Sequence, residues 1–139
     1  MIFNLACITK RGEVPADFHI RIEDILSQPQ PGAPVHAIEI RCKADASQKK
    51  SFELIQVYGS ESHIIDLKDE DVLRLYREIM HQKIMKMKDR YSDMSVLDGG
   101  TTDLQLKMNG KEKRILLRNT TPAQLEGFFT LLNEMLESK

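Results

Sequence analysis

Tryptophan is absent from this sequence, and aromatic residues make up only 6% of it. Aliphatic side chains and seven Met must therefore fill any core. Met packs adaptably but specifies shape weakly. An excess of one charge is also missing, because 20 Lys and Arg stand against 21 Asp and Glu, a formal net charge of −1. No global field recruits nucleic acid or an anionic membrane. Long apolar runs are missing too, and no stretch approaches the ~20 residues of a transmembrane helix. The apolar opening Ile2-Phe3-Asn4-Leu5-Ala6-Cys7-Ile8 has no basic residue ahead of it. It reads as a β-strand, not as an export or lipoprotein signal, so a cytoplasmic location is expected. Cys7 and Cys42 are the only cysteines. Without export they are expected as free buried thiols, and neither has a Cys or His at zinc-ligand spacing.

The familiar signatures of catalysis are absent as well. There is no P-loop, dinucleotide fingerprint, Gly-x-Ser-x-Gly elbow or His-Glu-x-x-His pair. Glu78 and His81 share a helical spacing, but a di-iron site needs a second such pair and further Glu. Asp66, Asp69, Glu70 and Asp71 lack the ligand order of a calcium loop. The chain is therefore not expected to be an enzyme, and no cofactor or metal is expected. The basic clusters Lys83, Lys86, Lys88, Arg90 and Lys107, Lys111, Lys113, Arg114, Arg118 are interrupted by Asp89 and Glu112. No exposed aromatic pair accompanies them for base stacking, so they read as solvated faces.

What is present is a run of alternating strands and two amphipathic helices. The 139 residues suit a single domain over 1–139. Phe18, Ile20 and Ile22 alternate with His19, Arg21 and Glu23, which marks a half-buried strand with one wet face. Ser27 to Pro34 holds three Pro and one Gly, and reads as a surface loop. Val35 to Lys43, Ser51 to Tyr58 and His63 to Leu67 read as further strands. Asp69 is expected to cap a long helix whose apolar stripe runs from Val72 through Ile84 to Met87. Ser92 to Gly100 crosses to the last unit.

That unit is the most legible. Asn109-Gly110 is a strong signal for a type I′ hairpin turn. The register that follows sets Leu106 against Lys113 and Leu104 against Ile115. It leaves Asp103, Gln105, Lys107, Glu112 and Arg114 on a polar face, with a Lys107–Glu112 ion pair. Thr121, Pro122 and Gln124 read as a capping box for a helix that buries Leu125, Phe128, Leu131, Leu132, Met135 and Leu136. Burying one such stripe does not offset the entropy of ordering the helix, so it must lie on a sheet. Gly127 is expected to pack close on a strand.

Setting Gly59 on Gly110 aligns two ββα units, 51–90 and 102–137, with Ile64 on Ile115, Leu73 on Leu125 and Met80 on Leu132. An internal duplication is thereby raised. With or without it, the element order lacks βαβ alternation. The expected class is α+β, a mainly antiparallel sheet with two amphipathic helices packed on one face.

The run Asp98-Gly99-Gly100-Thr101-Thr102, a hairpin through Asn109-Gly110, Pro122 and an amphipathic helix resembles the C-terminal part of small uncharacterised bacterial α+β domains. Those read Asp-Gly-Thr-Thr, hairpin, Pro, helix; here an extra Gly intervenes. The resemblance covers about the last 40 residues, implies a bacterial α+β fold, and implies no activity.

By elimination, the sequence reads as a non-catalytic protein-binding module, of the general kind that inhibitors and immunity proteins represent. Its candidate surface comprises His19, Arg21, Glu23, Asp103, Gln105, Lys107, Glu112 and Arg114. The partner expected is another protein, and neither a membrane nor nucleic acid. The alternative is a small apolar ligand held between the sheet and the Met-rich helices.

Overall fold

Alternation of apolar and polar residues turns much of the described chain into strands, and their pairing makes one sheet. The computed structural model describes residues 14–25, 36–44, 50–93, 95 and 100–137. The expected strand Ile2–Thr9, Cys7, the loop Ser27–Pro34 and the pair Asp98-Gly99 lie outside them. The elements in chain order are β1 (His19–Ile25), β2 (His36–Ala44), β3 (Lys50–Tyr58), β4 (Glu61–Leu67), α1 (Asp69–His81), β5 (Arg90–Ser92), β6 (Thr101–Met108), β7 (Lys111–Arg118) and α2 (Ala123–Glu137). Among the described residues the sheet has seven strands, in the order β4-β3-β2-β1-β6-β7-β5. All its pairs are antiparallel except β5–β7. The class is α+β. No helix among the described residues is long and apolar enough to cross a membrane.

The register sorts side chains into two faces. On one, Ile65, Leu54, Ile40, Ile20 and Leu106 lie in a single cross-strand row. Leu104 pairs Ile22 on one side and Ile115 on the other in the next row. These strand residues share a hydrophobic cluster with Val72, Leu75, Tyr76 and Ile79 of α1 and Leu125, Phe128, Leu132 and Met135 of α2. Phe18 joins the two layers, packing edge-on against Phe52 at 6.0 Å and against Tyr76 at 5.5 Å. With no Trp, these three rings and Phe128 are the large units of a core otherwise built from Leu, Ile, Val and Met.

Asn109 and Gly110 both have positive φ, 54° and 77°, as a type I′ turn requires. The resulting register sets Leu106 against Lys113 and Leu104 against Ile115. Asp17 holds the tip from outside, accepting the Asn109 amide at 2.8 Å and the Gly110 amide at 2.7 Å.

Several local expectations are corrected. The first helix stops at His81, not at Met87. Lys83 turns left-handed, φ 55°, and a 3₁₀ turn over Ile84–Lys86 follows. The turn still buries Ile84 and Met87, so the apolar periodicity runs on through a break in the backbone. The chain then enters β5, a strand not read from the sequence, which Asp89 anchors by accepting the Leu116 amide at 2.8 Å. Lys68, not Asp69, is the N-cap of α1 and makes no side-chain cap bond. Gln124 does not reach back to its own helix start; its side chain donates to the Gln82 carbonyl at 2.9 Å and ties the two helices together. Gly127 faces Glu78 of α1 rather than a strand. Cys42 is a free thiol, and it is half-buried rather than buried.

The alignment of the two ββα units also shifts. It pairs Ile64, 61% exposed, with Ile115, 0% exposed, and Met80, 52% exposed, with Leu132, 2% exposed. Gly59 takes the first turn position of its hairpin, where Asn109 stands in the other. Moved by one residue, Leu54 matches Leu104, Ile65 matches Ile115 and Leu67 matches Leu117. The helices then match as Val72 with Leu125, Leu75 with Phe128 and Ile79 with Leu132, all six of them buried.

Candidate interaction surface

The second face of the sheet collects the residues the first face leaves behind. Because side chains alternate along a strand, every candidate chosen from β1, β6 and β7 projects to this side. The register sets His19 beside Lys107, Arg21 beside Gln105 and Glu23 beside Asp103. It sets Gln105 beside Arg114 and Lys107 beside Glu112. The eight residues form three adjoining cross-strand rows on three neighbouring strands.

Charge on this face is largely paired, and the pairs run diagonally as well as straight across. Arg114 grips Asp103 with two bonds, Nε to Oδ1 at 3.0 Å and Nη2 to Oδ2 at 2.8 Å. A planar guanidinium matches a carboxylate in this way. Asp103 is only 3% exposed, and a carboxylate so buried needs such partners. The carboxylate in turn holds the Arg114 guanidinium above its ordinary range, first through the hydrogen bonds and then through charge. Gln105 donates to the same carboxylate at 3.4 Å. His19 Nε2 lies 2.5 Å from the Glu39 carboxylate. The Lys107–Glu112 ion pair does not form among the described residues; Lys107 instead contributes to the field at Asp17. Arg21 makes no ion pair among the described residues, although it stands mid-strand between Glu39 and Gln105.

The sequence reading missed the other half of the face. Beyond β1, Arg41 Nε donates to Glu53 at 2.8 Å, and Lys43 lies 2.7 Å from Asp66 and 3.7 Å from Glu53. Glu53, 7% exposed, is the second buried carboxylate, and it holds Arg41 above its ordinary range by hydrogen bonding. The signal for these residues was the alternation of Ala37, Glu39 and Arg41 opposite Ile38 and Ile40. It could not be used until β2 was known to lie beside β1. The face ends at β4 in an apolar corner, where Ile64 stands across from Ile55.

A shallow depression of about 360 Å³ opens between His19, Gln105, Lys107, Glu112 and Arg114. On the other side of the sheet, a groove of about 580 Å³ runs between Val14, Phe52, Val72 and Leu73, with Lys50 and Asp69 at its rim. Among the described residues, no group of three or more His, Cys, Asp and Glu is arranged to hold a metal.

No family model matches this chain, and no curated protein matches it significantly.

Proposed function

We propose that the chain is a non-catalytic protein-binding module whose contact surface is the charged face of the sheet. The observation that carries this reading is the pre-ordering of that face. Asp103 and Glu53 are each held by an Arg from a neighbouring strand, and Glu39 by the His19 ring, so a partner meets polar groups already fixed in position. Pre-ordered side chains lose less entropy on association. Complementary charge across such a face favours one partner over others. Arg21, with no ion pair among the described residues and at the middle of the face, is the natural contact for a partner carboxylate.

The test is affinity capture from native lysate with wild type and Arg21→Glu. One stoichiometric protein should be retained by wild type and lost by the variant. Retention of nucleic acid alone, released by salt, would refute the reading. Arg21 is the better probe than Arg114, whose removal also strands a buried carboxylate.

The groove between β3 and α1 supports a second reading, a site for a small apolar ligand, because its walls are Val14, Phe52, Val72 and Leu73. Native mass spectrometry of the purified chain should then show an added mass that Val72→Phe abolishes.

For the architecture, we read both helices as packed on the one apolar face, and the two ββα units as copies of one another. The cluster shared by strand and helix residues supports the first, and the strand registers support the second. An approximate two-fold axis between Arg21 and Glu39 carries β1 onto β2, β6 onto β3 and β7 onto β4. It matches the same residue pairs as the corrected alignment.

A further inference from the structure

Among the described residues, β4 is the outermost strand on its side of the sheet. The opposite side is closed differently, with β5 laid along β7. The β3–β4 hairpin closes with Tyr58 opposite Glu61 across the turn Gly59-Ser60. A two-residue turn is flanked by a hydrogen-bonded pair, and along an antiparallel ladder such pairs alternate with non-bonded ones. Glu61, His63, Ile65 and Leu67 therefore direct their N–H and C=O groups to β3. Ser62, Ile64 and Asp66 direct theirs outward, in a set centred on Ile64, which is 61% exposed. No Pro and no Lys interrupts Glu61–Leu67, although these are usual devices that keep an edge from pairing.

We propose that β4 pairs antiparallel with β4 of a second copy of this chain, in the register that sets Ile64 against its own counterpart. Ser62 then meets Asp66 of the second copy, and Asp66 meets its Ser62. All three outward residues are satisfied on both chains. Sliding the register toward either end leaves part of the set unpaired, and a shift centred on Asp66 sets two carboxylates face to face. In the centred register each acid faces an uncharged residue, Asp66 facing Ser62 and Glu61 facing Leu67. The seam also completes the apolar corner. Ile64 and Ile55 are neighbours on the open face, and the same two residues of the second copy continue their row. So small a contact makes a weak, concentration-dependent dimer, and it stands independently of the reading of the charged face.

Sedimentation of the full chain over a wide concentration range tests this. The mass should rise from 16.0 kDa toward that of a dimer. Ile64→Pro removes an outward amide that the sheet does not use, so it should leave the fold intact by circular dichroism and weaken the dimer about tenfold or more. The register is read by cysteine cross-linking in a background lacking Cys7 and Cys42. Facing residues of a hydrogen-bonded pair lie about 5.5 Å apart, within disulfide reach. Ile64→Cys should therefore give a covalent dimer on oxidation, and Ser62→Cys should not. A chain that stays at 16.0 kDa throughout, a dimer indifferent to Ile64→Pro, or a foreign protein strand found on this edge would each overturn the proposal. Arg21→Glu should dimerise as wild type does, which separates this result from the fate of the charged face.

Discussion

The two hairpins, β3–β4 and β6–β7, are built alike and used differently. Each has a two-residue turn with a positive φ, and each leads toward a helix whose buried residues fall at matching positions. Their tips differ. Gly59 supplies the positive φ at the first turn position of one, as in a type II′ turn, whereas Asn109 and Gly110 share it in the other. Asp17 clamps the second tip from outside. Their outer edges differ more. β7 is covered by β5, while β4 carries an exposed Ile64 and half-buried Ile65 and Leu67. Two hairpins of like turn length thus end up, among the described residues, one inside the sheet and one at its edge. The difference arises from what the chain does after each of them, not from the hairpins themselves.

Truncations of the core weigh the two units against each other. Leu54→Ala and Leu104→Ala remove side chains that are both 0% exposed. Each should cost about 2–5 kcal/mol, with similar midpoint shifts in urea, and a wide gap between them would break the equivalence. Ile115→Ala should fall in the same range of about 2–5 kcal/mol. Ile65→Ala, its edge counterpart, should cost clearly less, because part of its surface is already wet. Equal losses at these two positions would mean that the β4 edge is covered in solution.

Turn chemistry gives a smaller effect. An alanine Cβ at Gly110 meets nothing within 4 Å, so only the positive φ of 77° opposes it, and Gly110→Ala should cost about 1–2 kcal/mol by thermal melting. The clamp on this tip adds a pH signature. The Gly110 amide, aided by that of Asn109, holds the Asp17 carboxyl below its usual 3.8. A depressed carboxyl stabilises the fold above its unfolded pKa, and that contribution is lost as pH falls through the lower folded value. Stability curves of wild type and Asp17→Ala should therefore run parallel at neutral pH and converge only below about pH 4. Convergence at a higher pH would place the effect elsewhere. Smallest of all, Gly127→Ala should be neutral or stabilising by up to about 1 kcal/mol. The added Cβ meets only the movable end of Glu78. A loss instead would show that Glu78 is held in place.

Much of the last unit was legible because its information is local. Asn109-Gly110 specifies the turn, the turn specifies the register, and the register assigns Leu104, Leu106 and Ile115 to one face and Asp103, Gln105 and Arg114 to the other. The end of α1 was not legible. Ile84 and Met87 keep the helical spacing after the backbone has turned at Lys83, so the apolar pattern conceals the break. β5 is three residues long, Arg90–Ser92, too short to carry a period. The charged face was half legible. Alternation marked which side chains of each strand are wet, but not which strands are neighbours. The Arg41–Glu53 and His19–Glu39 pairs therefore stayed hidden.

The sequence by itself determined strands β1 to β4, β6 and β7, the type I′ turn, the apolar stripe of each helix and the polarity of those strands' two sides. These follow from backbone geometry and the period of hydrophobicity over a few residues. Tertiary structure alone decided that β1 lies between β2 and β6, that Arg114 reaches across to Asp103, that Asp17 clamps a distant turn, and that β4 stands at the edge of the described strands. Each of those depends on contacts between residues far apart in the chain, and no local pattern encodes which distant strand will be the neighbour.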